Sequence, residues 1–179
     1  MTQEKTPWRN GYVQVYTGDG KGKTTAAFGL ALRAAGAGLP VFIGQFVKGM
    51  KYSEIKAFER FSDLITVKQY GRGCFIYNEP KKEDIRVAED GLEEIRKILI
   101  SGTYKVVILD EASIATYFKL FSVDDLLQLI DSKPDDVELV ITGRNADPRI
   151  VERADLVTEM REVKHYYTEG VEAREGIES

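Results

Sequence analysis

Tyr16-Thr17-Gly18-Asp19-Gly20-Lys21-Gly22-Lys23-Thr24-Thr25 is a glycine-rich stretch that ends Gly-Lys-Thr, and these residue types in this order hold phosphate. Backbone N–H groups of such a turn and the N-terminus of the helix after it face an anion. The lysine adds a point charge, and the hydroxyl can ligate Mg²⁺. The common form is G-x-x-x-x-G-K-[ST]. Gly22, Lys23 and Thr24 fit it, but Thr17 stands where the first glycine belongs, and Gly18 and Gly20 lie inside the loop. The stretch is a phosphate cradle without being an ordinary Walker A. Lys23 is expected to touch phosphate, and Thr24 or Thr25 to face Mg²⁺.

A second constellation is Asp110-Glu111, directly after Val106-Val107-Ile108-Leu109. Two carboxylates at the end of an apolar strand can hold Mg²⁺ directly or through water, and in hydrolases the second often polarises the attacking water. Paired with the phosphate loop, they form a Walker B pattern. Thr142-Gly143-Arg144-Asn145 says less by itself: Arg144 suits a triphosphate, whose geometry a guanidinium matches, or it sits in a plain turn. Arg72 in Gly71-Arg72-Gly73 poses the same choice. His165 is the single histidine and Cys74 the single cysteine. One histidine without cysteines nearby is no zinc site, so a surface or packing role is expected. Cys74 has no base near it in sequence and reads as a small loop residue.

These residues need a scaffold, and the chain is long enough for one. At 179 residues it fits a single domain with a proper core, here residues 11–179 behind a flexible arm over residues 1–10 that carries Trp8. With 43% hydrophobic and 30% charged residues it reads as soluble and globular. One cysteine excludes an internal disulfide and suits a reducing compartment. No run reaches the ~18 apolar residues of a membrane span, and the polar start lacks an apolar targeting core. A cytoplasmic protein without membrane attachment is expected. The net charge of −4, with no basic cluster, argues against nucleic acid as a partner.

Along the chain, Tyr12, Val13, Val15 and Tyr16 make a strand, residues 24–37 a helix stopped by Gly36 and Gly38, and residues 41–46 a buried strand. A loop follows, then a short helix capped at Ser53 or nearby and running to Phe61, and a third strand over residues 64–70. Ile85, Ala88, Leu92, Ile95, Ile98 and Leu99 mark a long amphipathic helix that Gly102 ends. After the Val106–Leu109 strand, Ser122 and Asp125 form an acidic capping box ahead of Leu126, Leu127, Leu129 and Ile130. Residues 137–142 make a strand, Asp147-Pro148 opens a short helix, and residues 156–163 a last strand. This alternation predicts an α/β fold with a mostly parallel sheet covered by helices on both faces. Ligands bind such sheets at the carboxyl ends of the strands. That rim gathers the phosphate loop, residues 45–52, residues 71–75, Asp110-Glu111 and residues 142–145. Phe46, Tyr52, Tyr70, Phe75 and Tyr77 lie at or near it and could wall a large planar ligand.

The chain resembles the corrinoid adenosyltransferases of the CobA/CobO/BtuR type. The likeness rests on Thr17-Gly18-Asp19-Gly20-Lys21-Gly22-Lys23-Thr24-Thr25-Ala26-Ala27-Phe28-Gly29, Gln45-Phe46-Val47-Lys48-Gly49 and Leu109-Asp110-Glu111. It continues in Thr142-Gly143-Arg144-Asn145-Ala146, Ala154-Asp155-Leu156-Val157-Thr158-Glu159-Met160, Lys164-His165 and Gly176-Ile177-Glu178. The resemblance implies a RecA-like P-loop fold, a homodimer, and transfer of the 5′-deoxyadenosyl group of ATP to the Co(I) of a corrinoid, with release of triphosphate. It also implies that ATP lies reversed relative to P-loop hydrolases, so that the loop holds the leaving chain, which gives Thr17 a reason.

By the same resemblance Gly18, Asp19, Gly20, Lys21, Gly22, Lys23, Thr24 and Thr25 bind triphosphate, joined by Arg144 and Asn145. Lys23 and Glu111 serve catalysis, and Thr24, Asp110 and Glu111 surround Mg²⁺ (or Mn²⁺). Many members carry Gly-x-Gly-Phe-Thr-Trp where this chain has Gly71-Arg72-Gly73-Cys74-Phe75-Ile76-Tyr77. Aromatics there help displace the lower axial ligand of cobalt, a task that falls to Phe75 or Tyr77 here. An electron donor, a flavoprotein or reduced flavin, is implied as a partner. The alternatives are a P-loop ATPase or small-molecule kinase, and a nucleotide-dependent corrinoid-binding module.

Overall fold

Residues 10–50, 52–72 and 79–178 are described in the computed structural model. All but Asn10 of the expected N-terminal arm, including Trp8, lies outside them, as do Cys74, Phe75 and Tyr77. Six strands are present among the described residues: β1 Val13–Thr17, β2 Val41–Phe46, β3 Ile65–Tyr70, β4 Val106–Asp110, β5 Glu138–Thr142 and β6 Leu156–Glu159. All are parallel, in the order β3-β2-β4-β5-β1-β6. The helices are α1 Lys23–Gly36, α2 Ser53–Phe58, α3 Lys82–Ile100, α4 Ala112–Tyr117, α5 Val123–Asp131 and α6 Pro148–Arg153.

The apolar strands owe their near-continuous hydrophobicity to burial on both faces. Side chains alternate across the sheet with period two. Val107, Leu109, Leu139 and Ile141 point one way, into a core with Leu92, Ile95 and Leu99 of α3, Ala112 and Ala115 of α4, and Leu126 and Leu129 of α5. Val106, Ile108 and Val140 point the other way and meet Ala27, Phe28, Ala31, Ala34 and Ala35 of α1 with Ile55 and Phe58 of α2. The alanine face of α1 lets that helix lie close to the sheet, with its first turn at the strand ends.

Three elements differ from expectation. α4 follows Glu111 without a polar cap signal, because Glu111 itself turns the chain by adopting a left-handed conformation (φ 61°). α2 ends at Phe58 and passes into a 3-10 turn over Glu59–Phe61. Tyr52, the residue next to Ser53, occupies its N-cap position, with no side-chain cap bond. β6 stops at Glu159, short of residue 163, because Met160 leaves the ladder. Its N–H reaches the Thr17 carbonyl (2.8 Å) and its own carbonyl accepts the Gly20 N–H (2.7 Å). The capping box of α5 forms as expected, with Ser122 Oγ accepting from Asp125 N–H and the Asp125 carboxylate from Ser122 N–H.

Candidate functional site

The phosphate loop runs from the end of β1 to the start of α1. Thr17 is still a strand residue, paired in register with Glu159, and its hydroxyl accepts the Ala146 N–H at 3.4 Å. The left-handed turn that a first glycine would make is taken one residue later by Gly18 (φ 94°), and again by Gly22 (φ 117°) at the N-cap of α1. A β-carbon on Gly18 would stand 2.5 Å from the Met160 carbonyl oxygen, and one on Gly20 2.7 Å from the same atom. These glycines therefore let residues 160–161 lie against the loop, a close approach that no other residue permits.

Lys23 is buried, and its Nζ donates to the Gly20 carbonyl at 2.7 Å, across the cradle. Burial, and then the Arg144 guanidinium, hold its ammonium below the ordinary lysine range, with Glu111 and Asp19 opposing. Arg144 leans over the loop and donates to the Asp19 carbonyl (3.2 Å), while Asn145 is exposed in a left-handed conformation (φ 55°). Asn145 also lines an open depression of about 330 Å³ with Thr116, Tyr117 and Pro148. Lys21 points away from the cradle. Its Nζ bonds to Tyr166 Oη, the Ile177 carbonyl and Glu178 Oε1 (2.8 Å), so the C-terminal segment holds this side of the loop.

A row of polar side chains crosses the carboxyl edge of the sheet on the α1 side. Gln69, Gln45, Asp110 and Thr142 come from four neighbouring strands, with Gln69 opposite Gln45 and Gln45 opposite Asp110. Asp110 is fully buried and saturated. Thr24 Oγ1 (2.8 Å) and Thr142 Oγ1 (2.7 Å) donate to one of its oxygens, and Gln45 Nε2 (2.9 Å) and Lys48 Nζ (3.4 Å) to the other. Gln69 Nε2 fixes Gln45 in turn, at 2.7 Å. Thr24, rather than the exposed Thr25, is thus the hydroxyl aimed at the acidic pair.

Glu111 joins through Lys48, whose Nζ lies 3.7 Å from Glu111 Oε1 and 3.3 Å from Thr24 Oγ1. Burial and the neighbouring Asp110 push the Glu111 carboxyl above its usual range, against the pull of Lys48 and Lys23. Burial alone would lower the Lys48 ammonium, but Asp110 and Glu111 outweigh it and leave it raised. Thr24, Asp110 and Glu111 surround a position that already stabilises positive charge, so they fit a divalent cation such as Mg²⁺. With the Asp110 oxygens filled, Thr24 and Glu111 are the better placed to ligate it.

The site therefore brings together the predicted Lys23, Thr24, Asp110 and Glu111, with Arg144 and Asp19 at its margin. It leaves Lys21 turned to the tail and Thr25 exposed. Arg72 is resolved as a tie to α3, pairing with Glu83 (2.6 Å) and Asp84. His165 caps a 3-10 turn, its Nδ1 accepting from Tyr167 N–H at 3.0 Å. Gln45, Lys48 and Thr142 take part as individual side chains that sequence reasoning passed over. A lone glutamine in the apolar run Val-Phe-Ile-Gly-Gln-Phe was the available signal.

The tail contact carries a pH signature. Arg174 first, then Lys21 and Tyr166, hold the Glu178 carboxyl far below the usual range. A depressed carboxyl contributes its stabilisation above the unfolded value and loses it as pH falls. Hydrogen exchange at the Arg174 and Glu178 amides is therefore expected to accelerate below about pH 4, beyond the intrinsic trend. Glu178→Gln should show the fast exchange already at neutral pH.

The family described as ATP:corrinoid adenosyltransferase BtuR/CobO/CobP matches residues 9–179. A corrinoid adenosyltransferase of Pseudomonas aeruginosa is 36% identical over 169 residues, covering 94% of this chain and 83% of that protein. One of Escherichia coli K12 is 34% identical over 170 residues, covering 94% and 85%. Among solved structures, the flagellar accessory protein FlaH of Methanocaldococcus jannaschii superposes with a TM-score of 0.59 at 13% identity, over 84% of this chain and 71% of that one. That likeness concerns the fold, which is of the RecA-like P-loop class.

Proposed function

Because the chain belongs to the ATP:corrinoid adenosyltransferase family, we propose that the cluster around Lys23, Thr24 and Glu111 is where it transfers the 5′-deoxyadenosyl group of ATP to the Co(I) of a corrinoid, in cobalamin biosynthesis or salvage. The observation that carries the reading is a match over residues 9–179 laid upon a phosphate loop that faces the buried Asp110, with Glu111 beside it. In this reaction the cobalt electron pair forms the Co–C5′ bond, the C5′–O5′ bond breaks, and its electrons leave on triphosphate.

Co(I) is itself the nucleophile, so the protein's residues need only align, shield and stabilise. Lys23, the loop N–H groups from Gly18 to Thr25 and Arg144 take the charge that grows on the departing triphosphate. Thr24, oriented by Asp110, and Glu111 would hold the Mg²⁺ or Mn²⁺, which when bound neutralises part of that charge. Holding cobalt, C5′ and the leaving oxygen in line replaces a costly encounter in solution. Asn145 and the depression beside it offer room for another part of the ligands. Phe75 or Tyr77 serves the lower face of the corrinoid.

Residues 11–179 act as one P-loop domain in this reading, and the protein works as a homodimer. Edge strand β6 supports the latter, since Leu156 and Val157 are both more than 40% exposed. Reaching Co(I) requires an external one-electron donor, a reduced flavin or flavoprotein, and the cytoplasm supplies both it and ATP. No helix among the described residues is long and apolar enough to cross a membrane.

The test is the phosphate product. Incubation with ATP and chemically reduced corrinoid is expected to yield intact triphosphate and an alkylated corrinoid. ADP and orthophosphate would replace this reading with an ATPase or kinase, and unchanged ATP with a corrinoid-binding module.

A further inference from the structure

Lys48 is held where it is with unusual insistence. Its N–H donates to the Phe46 carbonyl at 2.7 Å around Val47, which has φ 63°. A three-residue turn with positive φ at its centre is the rare, strained form, and a β-branched residue suits it least. On the other side Gly71 presses on the same residue: a β-carbon there would stand 2.6 Å from the Lys48 carbonyl oxygen and 2.8 Å from its nitrogen. Phe46, fully buried, anchors the start of the turn, and the Tyr52 ring lies 5.7 Å from Nζ. Strain of this kind persists only where the surroundings impose it, and it gathers at functional positions.

The turn delivers the ammonium to one place. Nζ is 3.3 Å from Thr24 Oγ1, 3.4 Å from Asp110 Oδ2 and 3.7 Å from Glu111 Oε1. These three side chains are the ones that fit a divalent cation, and a lysine side chain only 15% exposed sits among them. Without Lys48, two neighbouring carboxylates would lose the cation that contacts both of them, which is unfavourable. With it, a single mobile charge on a four-carbon stem balances them and can move aside, as a guanidinium fork could not.

We propose that Lys48 is a positioning residue that acts as the resident counter-cation of the acidic pair. It balances Asp110 and Glu111 before nucleotide arrives, and it excludes free divalent metal from them and from Thr24. Metal then enters efficiently only together with a triphosphate, whose negative charge draws the Lys48 ammonium off the carboxylates. Empty protein is thereby kept from filling with metal alone. The inference rests on the proposed metal role of Thr24 and Glu111. It does not depend on which reaction follows.

The experiment is a Mn²⁺ titration of the whole protein by electron paramagnetic resonance, without nucleotide or corrinoid. Wild-type protein is expected to bind Mn²⁺ weakly. Lys48→Gln, which removes the charge but keeps a donor for Thr24, should bind it at least about tenfold more tightly, since one positive charge within 4 Å has gone. Lys48→Met should do the same, and Lys48→Arg should stay close to wild type. The melting temperatures of the two neutral variants should rise on adding Mn²⁺ while that of the wild type does not. Folded Lys48→Gln protein with wild-type Mn²⁺ affinity would overturn the proposal, as would tight Mn²⁺ binding by the unsubstituted protein. Because no ATP is present, failure here is distinguishable from failure of the adenosyl-transfer reading, which the triphosphate assay judges separately.

Discussion

Lys23→Ala is expected to lower kcat/KM for ATP by about 10²–10³-fold or more, a loss of the size seen when one preorganised charge donor is removed from a transition state. The fold should not suffer with it. The Lys23 ammonium is buried and held below its ordinary range by that burial and by Arg144, so the folded state tolerates its charge rather than profiting from it. What the variant gives up inside the protein is one bond to the Gly20 carbonyl. Steady-state assay of triphosphate release with reduced corrinoid, alongside thermal melting, checks both halves. An active Lys23→Ala enzyme would remove the loop from the reaction. An inactive one with a collapsed melting temperature would make the lysine structural.

Asp110→Asn should do the reverse, failing first in stability. The carboxylate accepts two hydroxyls on one oxygen and an amide and an ammonium on the other, with no exposure to water. An asparagine can turn its Oδ1 to Gln45 Nε2 and Lys48 Nζ and its NH₂ to the two hydroxyls, which then accept, but it strips Lys48 of the buried negative charge beside it. Breaking one member of such a buried charged set costs about 3–5 kcal/mol, which is a fall of roughly 6–20 °C in melting temperature for a chain of this size. Differential scanning calorimetry measures it. Thr142→Val, which takes a hydroxyl donor from one Asp110 oxygen and the acceptor from the Glu111 N–H, should cost about 1–3 kcal/mol. If Asp110→Asn costs no more than Thr142→Val, the carboxylate charge is not what holds the row together.

The sheet was legible because doubly buried parallel strands must be apolar along their whole length, as Val106–Leu109 is. The loop and the acidic pair were legible because phosphate and metal chemistry restrict residue type at close spacing. The middle of the site was not. Lys48 reaches Asp110 across 62 positions through a strained turn at Val47, and nothing in a local pattern announces a β-branched residue in that conformation. Thr142 bonds to Asp110 only because β5 lies beside β4, a fact of strand order rather than of composition. α4 went unseen because its start is set by the backbone of Glu111 and not by a capping side chain. Lys21 looked like a phosphate ligand from its place in the loop, yet Glu178, 157 residues away, holds it.

Strand order has one more consequence, for how the molecule comes into being. β1 carries the phosphate loop, but its two neighbours are β5 and β6, from the far end of the chain. During synthesis β2, β3 and β4 can zip together as they emerge, while β1, made before any of them, waits with both edges unpaired. Only when residues up to 159 have left the ribosome can it be clasped on both sides. Closing so large a loop late is slow, and an unpaired apolar strand invites wrong partners meanwhile. The loop proposed to hold ATP is translated before the rest of the sheet and finished last, so a nascent or C-terminally truncated chain is expected to have no grip on nucleotide.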